Sequence, residues 1–300
     1  MNDEAVVLVS HGTVDRLEDL AAFVRNVRRG RPAPDELVAE LRHRYEAIGG
    51  SPLNRINTLV ARKLEQHLGV RVAAANRLWH PFVAEVLGAL ASEGIRRVAI
   101  VPLAQHSAHV YAEDARRGAE GTGVEVTCAP GWGDRADLCR AFAIRIVATL
   151  AQSPDAPRTT LIMTAHSLPR SVVDAGDPYE RDVRAAADAI AAAVAELAGR
   201  EVHRVVAFQS QGMAGPAPIA WLGPDLRAAL DLAKSQGSTH VVLAPIGFLA
   251  DHVEVLYDLD IEARAMATDR GLSYSRAPLL NADDDFLSIL AAVARPLLHL

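Results

Sequence analysis

The chain has 300 residues, 50% of them hydrophobic and 23% charged, enough for two ordinary domains and a composition that excludes a disordered or collagen-like polymer. Its 31 basic and 37 acidic residues give a net charge of −6, which excludes nucleic acid as the expected partner. Two cysteines, Cys128 and Cys139, set against 11 histidines, exclude a disulfide framework, a Cys-rich zinc site and an iron–sulfur cluster held by four thiolates of this chain.

Residues 1–4 carry no basic stretch and lead straight into the apolar run at 5–9, so no secretory signal is expected. The apolar run at 241–250 is far shorter than the roughly 20 residues that span a bilayer. The expected location is the cytoplasm, with peripheral attachment at a membrane surface left open.

Short β-branched runs at 5–10, 71–75, 98–102, 124–128, 160–165, 204–208, 240–245 and 273–276 alternate with longer amphipathic stretches. That alternation predicts βαβ units and parallel sheets. The strands fall into two groups of four, separated by a linker at 151–158 that holds Pro154 and Pro157. The predicted fold class is therefore α/β, with two similar doubly wound domains, each a four-stranded parallel sheet flanked by helices. The expected domains are 1–150 and 151–300, the last helix packing back on the first.

The two groups resemble each other. The first opens with a strand ending in Ser10-His11-Gly12, the second with one ending in Ala165-His166-Ser167. Pro102 precedes His109, and Pro245 precedes His252, by the same interval. Ligands bind such sheets beyond the carboxyl ends of the strands, where His11, His109, His166 and His252 all fall, so the expected site is a cleft between two similar halves.

Residues 34–50 depart from the repeat. Pro34, Asp35 and Glu36 suit a helix start; Leu37, Leu41 and Ile48 mark an apolar stripe with Tyr45 at its edge; Gly49-Gly50 and Pro52 stop it. This extra helix is expected to act as a lid.

The chemistry concentrates near the end. Glu254, Asp258 and Glu262 recur every four residues and form one acidic file with no basic neighbour on the helix before Arg264. A solvated face is the ordinary meaning of such a row. Its place after a strand end, and its mutual repulsion, fit a path or site for a divalent cation better, and a π-bulge would align it. His166, delivered by a strand and followed by Pro169, is the counterpart for proton transfer or metal binding.

With these residues in view, the chain resembles the ferrochelatases, which insert ferrous iron into a porphyrin in haem synthesis. The resemblance rests on Arg28-Arg29-Gly30-Arg31, on 44–53, on Thr164 to Pro169, on Phe208-Gln209-Ser210, on Trp221-Leu222-Gly223-Pro224-Asp225 and on 245–260. These pieces come in family order and cover nearly the whole chain. The resemblance implies that His166 and Glu254 are the catalytic pair at the porphyrin centre. It implies that His166, Glu254, Asp258 and Glu262 handle metal or carry protons away, and that Arg28, Arg29 and Arg31 approach the propionates. His11, Ser210, Trp221 and Tyr257 are further candidates for the substrate pocket. It implies Fe2+ and a porphyrin as substrates, no permanently bound cofactor and no iron–sulfur cluster. The expected state is a monomer with transient contacts to neighbouring haem-pathway enzymes. Which of His166 and Glu254 takes the first proton stays open.

The chain also departs from the family. His11 stands where many relatives carry Tyr or Leu, and Ser10-His11-Gly12 is closer to the small chelatases that metalate sirohydrochlorin. Three rival readings follow: a chelatase for another tetrapyrrole such as sirohydrochlorin, a non-catalytic tetrapyrrole-binding protein, and, more remotely, a histidine phosphatase. The last lacks an Arg before His11 to hold phosphate. Between coproporphyrin III and protoporphyrin IX, residues 246–251 lean toward the coproporphyrin-using branch.

Overall fold

The structure is a computed structural model and describes residues 3–152, 158–211 and 219–299. Most of the proposed linker, including Pro154 and Pro157, lies outside the described residues. The eight strands are β1 (Glu4–Ser10), β2 (Arg71–Asn76), β3 (Arg97–Pro102), β4 (Glu125–Cys128), β5 (Thr159–His166), β6 (Arg204–Gln209), β7 (His240–Ala244) and β8 (Ser273–Arg276). They form two four-stranded sheets, β2-β1-β3-β4 and β6-β5-β7-β8, parallel throughout. The expected fold class is observed.

The helices are α1 (Leu20–Val27), α2 (Asp35–Ala47), α3 (Leu53–Leu68), α4 (Val83–Ser92), α5 (Ala108–Ala119), α6 (Ala136–Leu150), α7 (Arg170–Asp174), α8 (Tyr179–Ala198), α9 (Leu226–Ser235), α10 (Val253–Leu256), α11 (Arg264–Asp269) and α12 (Asp284–Ala294). A π-helix, Asp258–Ala263, stands between α10 and α11. Among the described residues, no helix is long and apolar enough to cross a membrane.

The chain divides into two compact units: Met1–Trp132 with Ala250–Val253 and Asn281–Leu300, and Gly133–Leu249 with Glu254–Leu280. The division at 132/133 differs from the one expected near 150, because α6 packs along α8 and β7 of the second unit. In the first unit α12 packs on α3 and β3, so the last helix joins the first sheet.

Each core is built as parallel sheets require, from strands buried on both faces. All seven residues of β1 and all five of β7 are buried. The sheet of the first unit carries α4 and α5 on one face through Val83, Leu87, Leu90, Tyr111 and Ala115. In the second unit Ala165, Tyr179, Val183, Phe208 and Leu222 form a cluster beside the end of β5.

The repeat is visible in the register. In the first sheet Val9 faces Pro102, and Ser10 faces Asn76. In the second, Met163 faces Ala244, which sets Thr164 beside Pro245, and Ala165 faces Phe208. Counting on from these pairs, His11 and His166 occupy equivalent places. Even a loop bond recurs: Asn76 N–H donates to the Pro81 carbonyl and Phe208 N–H to the Pro224 carbonyl, each at 2.8 Å.

The inserted helix is α2. Tyr45, expected at the edge of its stripe, is instead its one buried residue. Its ring packs with Val14, Leu20 and Phe23, and its hydroxyl lies 2.7 Å from Thr13 Oγ1, so the polar tip is satisfied inside. Leu37, Leu41 and Ile48 are only half-buried.

Candidate active site

β5 carries His166 at its last paired position, opposite Gln209 of β6. The chain then turns sharply and is pinned on several sides. Ser167 N–H donates to the Gln209 carbonyl at 2.7 Å, and the buried Ser167 Oγ donates to the Leu222 carbonyl at 3.0 Å. Arg170 N–H donates to the Ala220 carbonyl at 2.7 Å and Leu222 N–H to the Leu168 carbonyl at 2.9 Å, with Pro169 and Trp221 bridged between them. The Tyr179 hydroxyl, at the start of α8, donates to the His166 carbonyl at 2.9 Å.

Glu254 lies on α10, just beyond the loop after β7. Its Oε2 stands 2.9 Å from His166 Nδ1, both side chains about one-third exposed (31% and 37%). Gln209 Nε2 donates to the Glu254 backbone carbonyl at 2.9 Å. The pair leaves the other imidazole nitrogen, Nε2, for a ligand or a proton. Burial works against the imidazolium, but the Glu254 charge and hydrogen bond, with Asp258 behind them, outweigh it and hold the His166 pKa above its ordinary value.

The acidic file continues into the π-helix, where the Glu262 N–H reaches back to the Tyr257 carbonyl at 3.0 Å. Asp258 is buried, and Ser210 Oγ donates to its Oδ2 at 2.6 Å. Ser210 holds a left-handed φ of 55°, a conformation that a non-glycine residue adopts only when its surroundings impose it. Glu262 is half-buried one π-turn further on. β8 braces the π-helix: the Tyr274 hydroxyl donates to the Leu259 carbonyl at 2.8 Å, and the Arg276 guanidinium holds Asp260 at 2.6 and 2.9 Å. The structure thus brings His166 and Glu254 into contact and places Asp258 and Glu262 in sequence behind them. Among the described residues, no three His, Cys, Asp or Glu side chains converge on one point as a closed metal site would require.

Of the other candidates, Tyr257 is buried and Trp221 half-buried. In the first unit, His11 is exposed at the end of β1 with its ring edge-to-face on Phe23 at 6.1 Å. Arg28, Arg29 and Arg31 form a compact turn after α1: Arg28 Nε donates to the Pro32 carbonyl at 3.0 Å and Arg31 Nε to the Arg28 carbonyl at 3.2 Å. A cavity of about 420 Å³ in this unit is lined by residues that include Asp15, Tyr45, Ser51 and Arg55.

Three supports of the site are not marked by any local sequence pattern: Gln209, Tyr179 and Gly247. Gly247 follows β7, and its N–H donates to the Thr164 carbonyl at 3.0 Å. None of their contacts follows from spacing along the chain; Gln209 and Gly247 at least lie inside family-like runs, whereas Tyr179 does not.

The sequence matches the ferrochelatase family over residues 3–297. The chain belongs to the ferrochelatase family. Its activity is therefore the insertion of iron into a porphyrin in haem synthesis. It is 35% identical to the ferrochelatase of Thermus thermophilus over 95% of this chain and 96% of that one. It is also 35% identical to the coproporphyrin III ferrochelatase of Bacillus subtilis, with 96% of each covered. The corresponding Mycobacterium ulcerans protein is 35% identical over 100% of this chain and 87% of its own length. Among solved structures, SirB from Bacillus subtilis with Fe3+ superposes with a TM-score of 0.59 at 14% identity, covering 98% of this chain and 95% of that one. That likeness shows a shared chelatase-type fold. In this family member the acidic π-helix follows directly on α10, which carries Glu254, while β5 brings His166 to that helix from 88 residues earlier.

Proposed function

We propose that this ferrochelatase works through His166 and Glu254 and that its porphyrin is coproporphyrin III. The hydrogen bond between His166 Nδ1 and Glu254 Oε2 carries the reading. Metalation exchanges two pyrrole N–H protons for one Fe2+, so the site must accept two protons. His166 Nε2, left unengaged by the Glu254 bond, takes the first, and the Glu254 carboxylate stabilises the imidazolium formed across Nδ1–H. Glu254 takes the second, and Asp258 and Glu262 relay protons outward or iron inward.

Nitrogen and oxygen donors hold ferrous iron loosely enough to release it to the macrocycle. Thiolates would compete, but burial and the nearby Asp134 and Asp137 push the Cys139 thiol up to about 11, and burial raises Cys128 as well. No resident cofactor or iron–sulfur cluster is needed for this chemistry. Arg28, Arg29 and Arg31 supply planar cationic forks suited to propionates. His11, Ser210, Trp221 and Tyr257 contribute to substrate binding. A monomer in the cytoplasm, in transient contact with neighbouring haem-pathway enzymes, completes the reading.

Coproporphyrin III carries four propionates and protoporphyrin IX two, and an arginine cluster favours the tetra-anion. The names of the Bacillus subtilis and Mycobacterium ulcerans relatives point the same way. Anaerobic Fe2+ insertion into the two porphyrins tests this directly. Coproporphyrin III should give the higher kcat/KM, and Arg28→Ala or Arg31→Ala should narrow the difference by raising its KM. A higher kcat/KM for protoporphyrin IX rejects the substrate assignment.

A further inference from the structure

We infer that Gln209 and Tyr179 are positioning residues that set the His166–Glu254 geometry by clamping the main chain of both partners. The inference rests on the assignment of that pair as the proton acceptors. Each clamp is a side-chain donor on a backbone carbonyl: the Tyr179 hydroxyl on His166 at 2.9 Å, and Gln209 Nε2 on Glu254 at 2.9 Å. Gln209 holds both sides of the pair, because its own backbone carbonyl accepts Ser167 N–H at 2.7 Å, one residue after His166. One residue of β6 therefore joins the end of β5 to the helix that carries Glu254, two segments distant in sequence.

The choice of glutamine is informative. Its side chain is almost fully buried, and its Oε1 is enclosed with no hydrogen-bond partner among the described residues. An enclosed, unpaired amide oxygen lowers stability, and an apolar chain of the same volume would avoid that cost. What the amide supplies in return is the single N–H aimed at Glu254. Tyr179 has a similar economy: its ring belongs to the apolar cluster with Ala165 and Phe208, so only its hydroxyl serves the turn after His166. A reacting pair misplaced by about 1 Å loses on the order of 100-fold in rate, so such clamps affect turnover more than binding.

The test compares Gln209→Met, Tyr179→Phe and the double variant with the parent enzyme, measuring kcat, KM for porphyrin and Tm. Thr160→Val, which removes a buried bond to Ser238 at the far end of β5, serves as the stability control. His166→Ala is measured alongside. The expected result is a fall in kcat of about ten-fold or more for each clamp variant with KM within about two-fold. The double variant should lose less than the product of the two single effects, because both act on one pair. Thr160→Val should lower Tm and leave kcat unchanged. Tyr179→Phe, which deletes one oxygen, decides the matter if Gln209→Met does not fold. Folded clamp variants that keep parental kcat while His166→Ala is inactive overturn the inference alone. Activity retained in His166→Ala overturns the underlying assignment instead.

Discussion

A Cβ placed on Gly247 would lie 2.6 Å from the Ala165 Cβ and 2.7 Å from its Cα. β5 and the loop after β7 therefore touch through bare backbone one residue before His166, and the Gly247 N–H closes the contact on the Thr164 carbonyl at 3.0 Å. The approach fixes how far β5 can project His166 toward Glu254.

Gly247→Ala should therefore disturb chemistry as well as stability. The central strand of a sheet cannot move aside without repacking both faces, so a cost of about 1–3 kcal/mol is expected. Thermal unfolding should show the lower Tm, and single-turnover iron insertion should slow in the protein that remains folded. A variant with parental Tm and rate would mean that the loop yields freely.

The acidic file gives a second expectation. Asp258→Asn and Glu262→Gln should raise the Fe2+ concentration for half-maximal rate and leave the porphyrin KM near its parental value. Asp258→Asn also changes the partner of Ser210 Oγ, now 2.6 Å from Oδ2, so it should show the larger effect. If iron dependence is the same in both variants as in the parent, the file is only a charged helix face.

The pH dependence follows from the His166–Glu254 contact. Burial disfavours the imidazolium, but the Glu254 and Asp258 carboxylates raise the His166 pKa overall. As proton acceptor His166 must be neutral, so the rate should fall as pH drops through that raised value, with the acid limb above the ordinary histidine value of about 6.5. The stabilisation from the charged pair runs the opposite way: it is full below the unfolded-state value and lost as pH rises through the folded one. In Glu254→Gln the burial effect prevails, and the limb should move to lower pH. A limb that stays in place would assign it to another group.

Much of this architecture is readable from the chain because it is local. All eight strands lie within one residue of their expected bounds, since continuous apolar runs such as Val241 to Ala244 have no other stable use in a doubly wound sheet. The equivalence of His11 and His166 is readable from the repeated strand ends. The acidic file is readable as spacing, and its suggested π-geometry is present over Asp258–Ala263.

What escapes the sequence depends on approaches between distant segments. Nothing local distinguishes Gly247 from a turn glycine, because the atoms it must avoid belong to Ala165. Tyr45 reads as an edge residue until Thr13, 32 residues earlier, supplies a partner for its hydroxyl. The break near 132 is hidden for the same reason, since α6 is amphipathic whichever sheet it covers.

The proposed role of His166, held by Glu254, is to accept protons from the porphyrin. The most direct measurement is anaerobic Fe2+ insertion by His166→Ala, together with porphyrin titration of the same protein by fluorescence quenching. The prediction is a loss of at least about 100-fold in insertion rate with porphyrin affinity and Tm close to parental values. Turnover near the parental rate in that variant would contradict it.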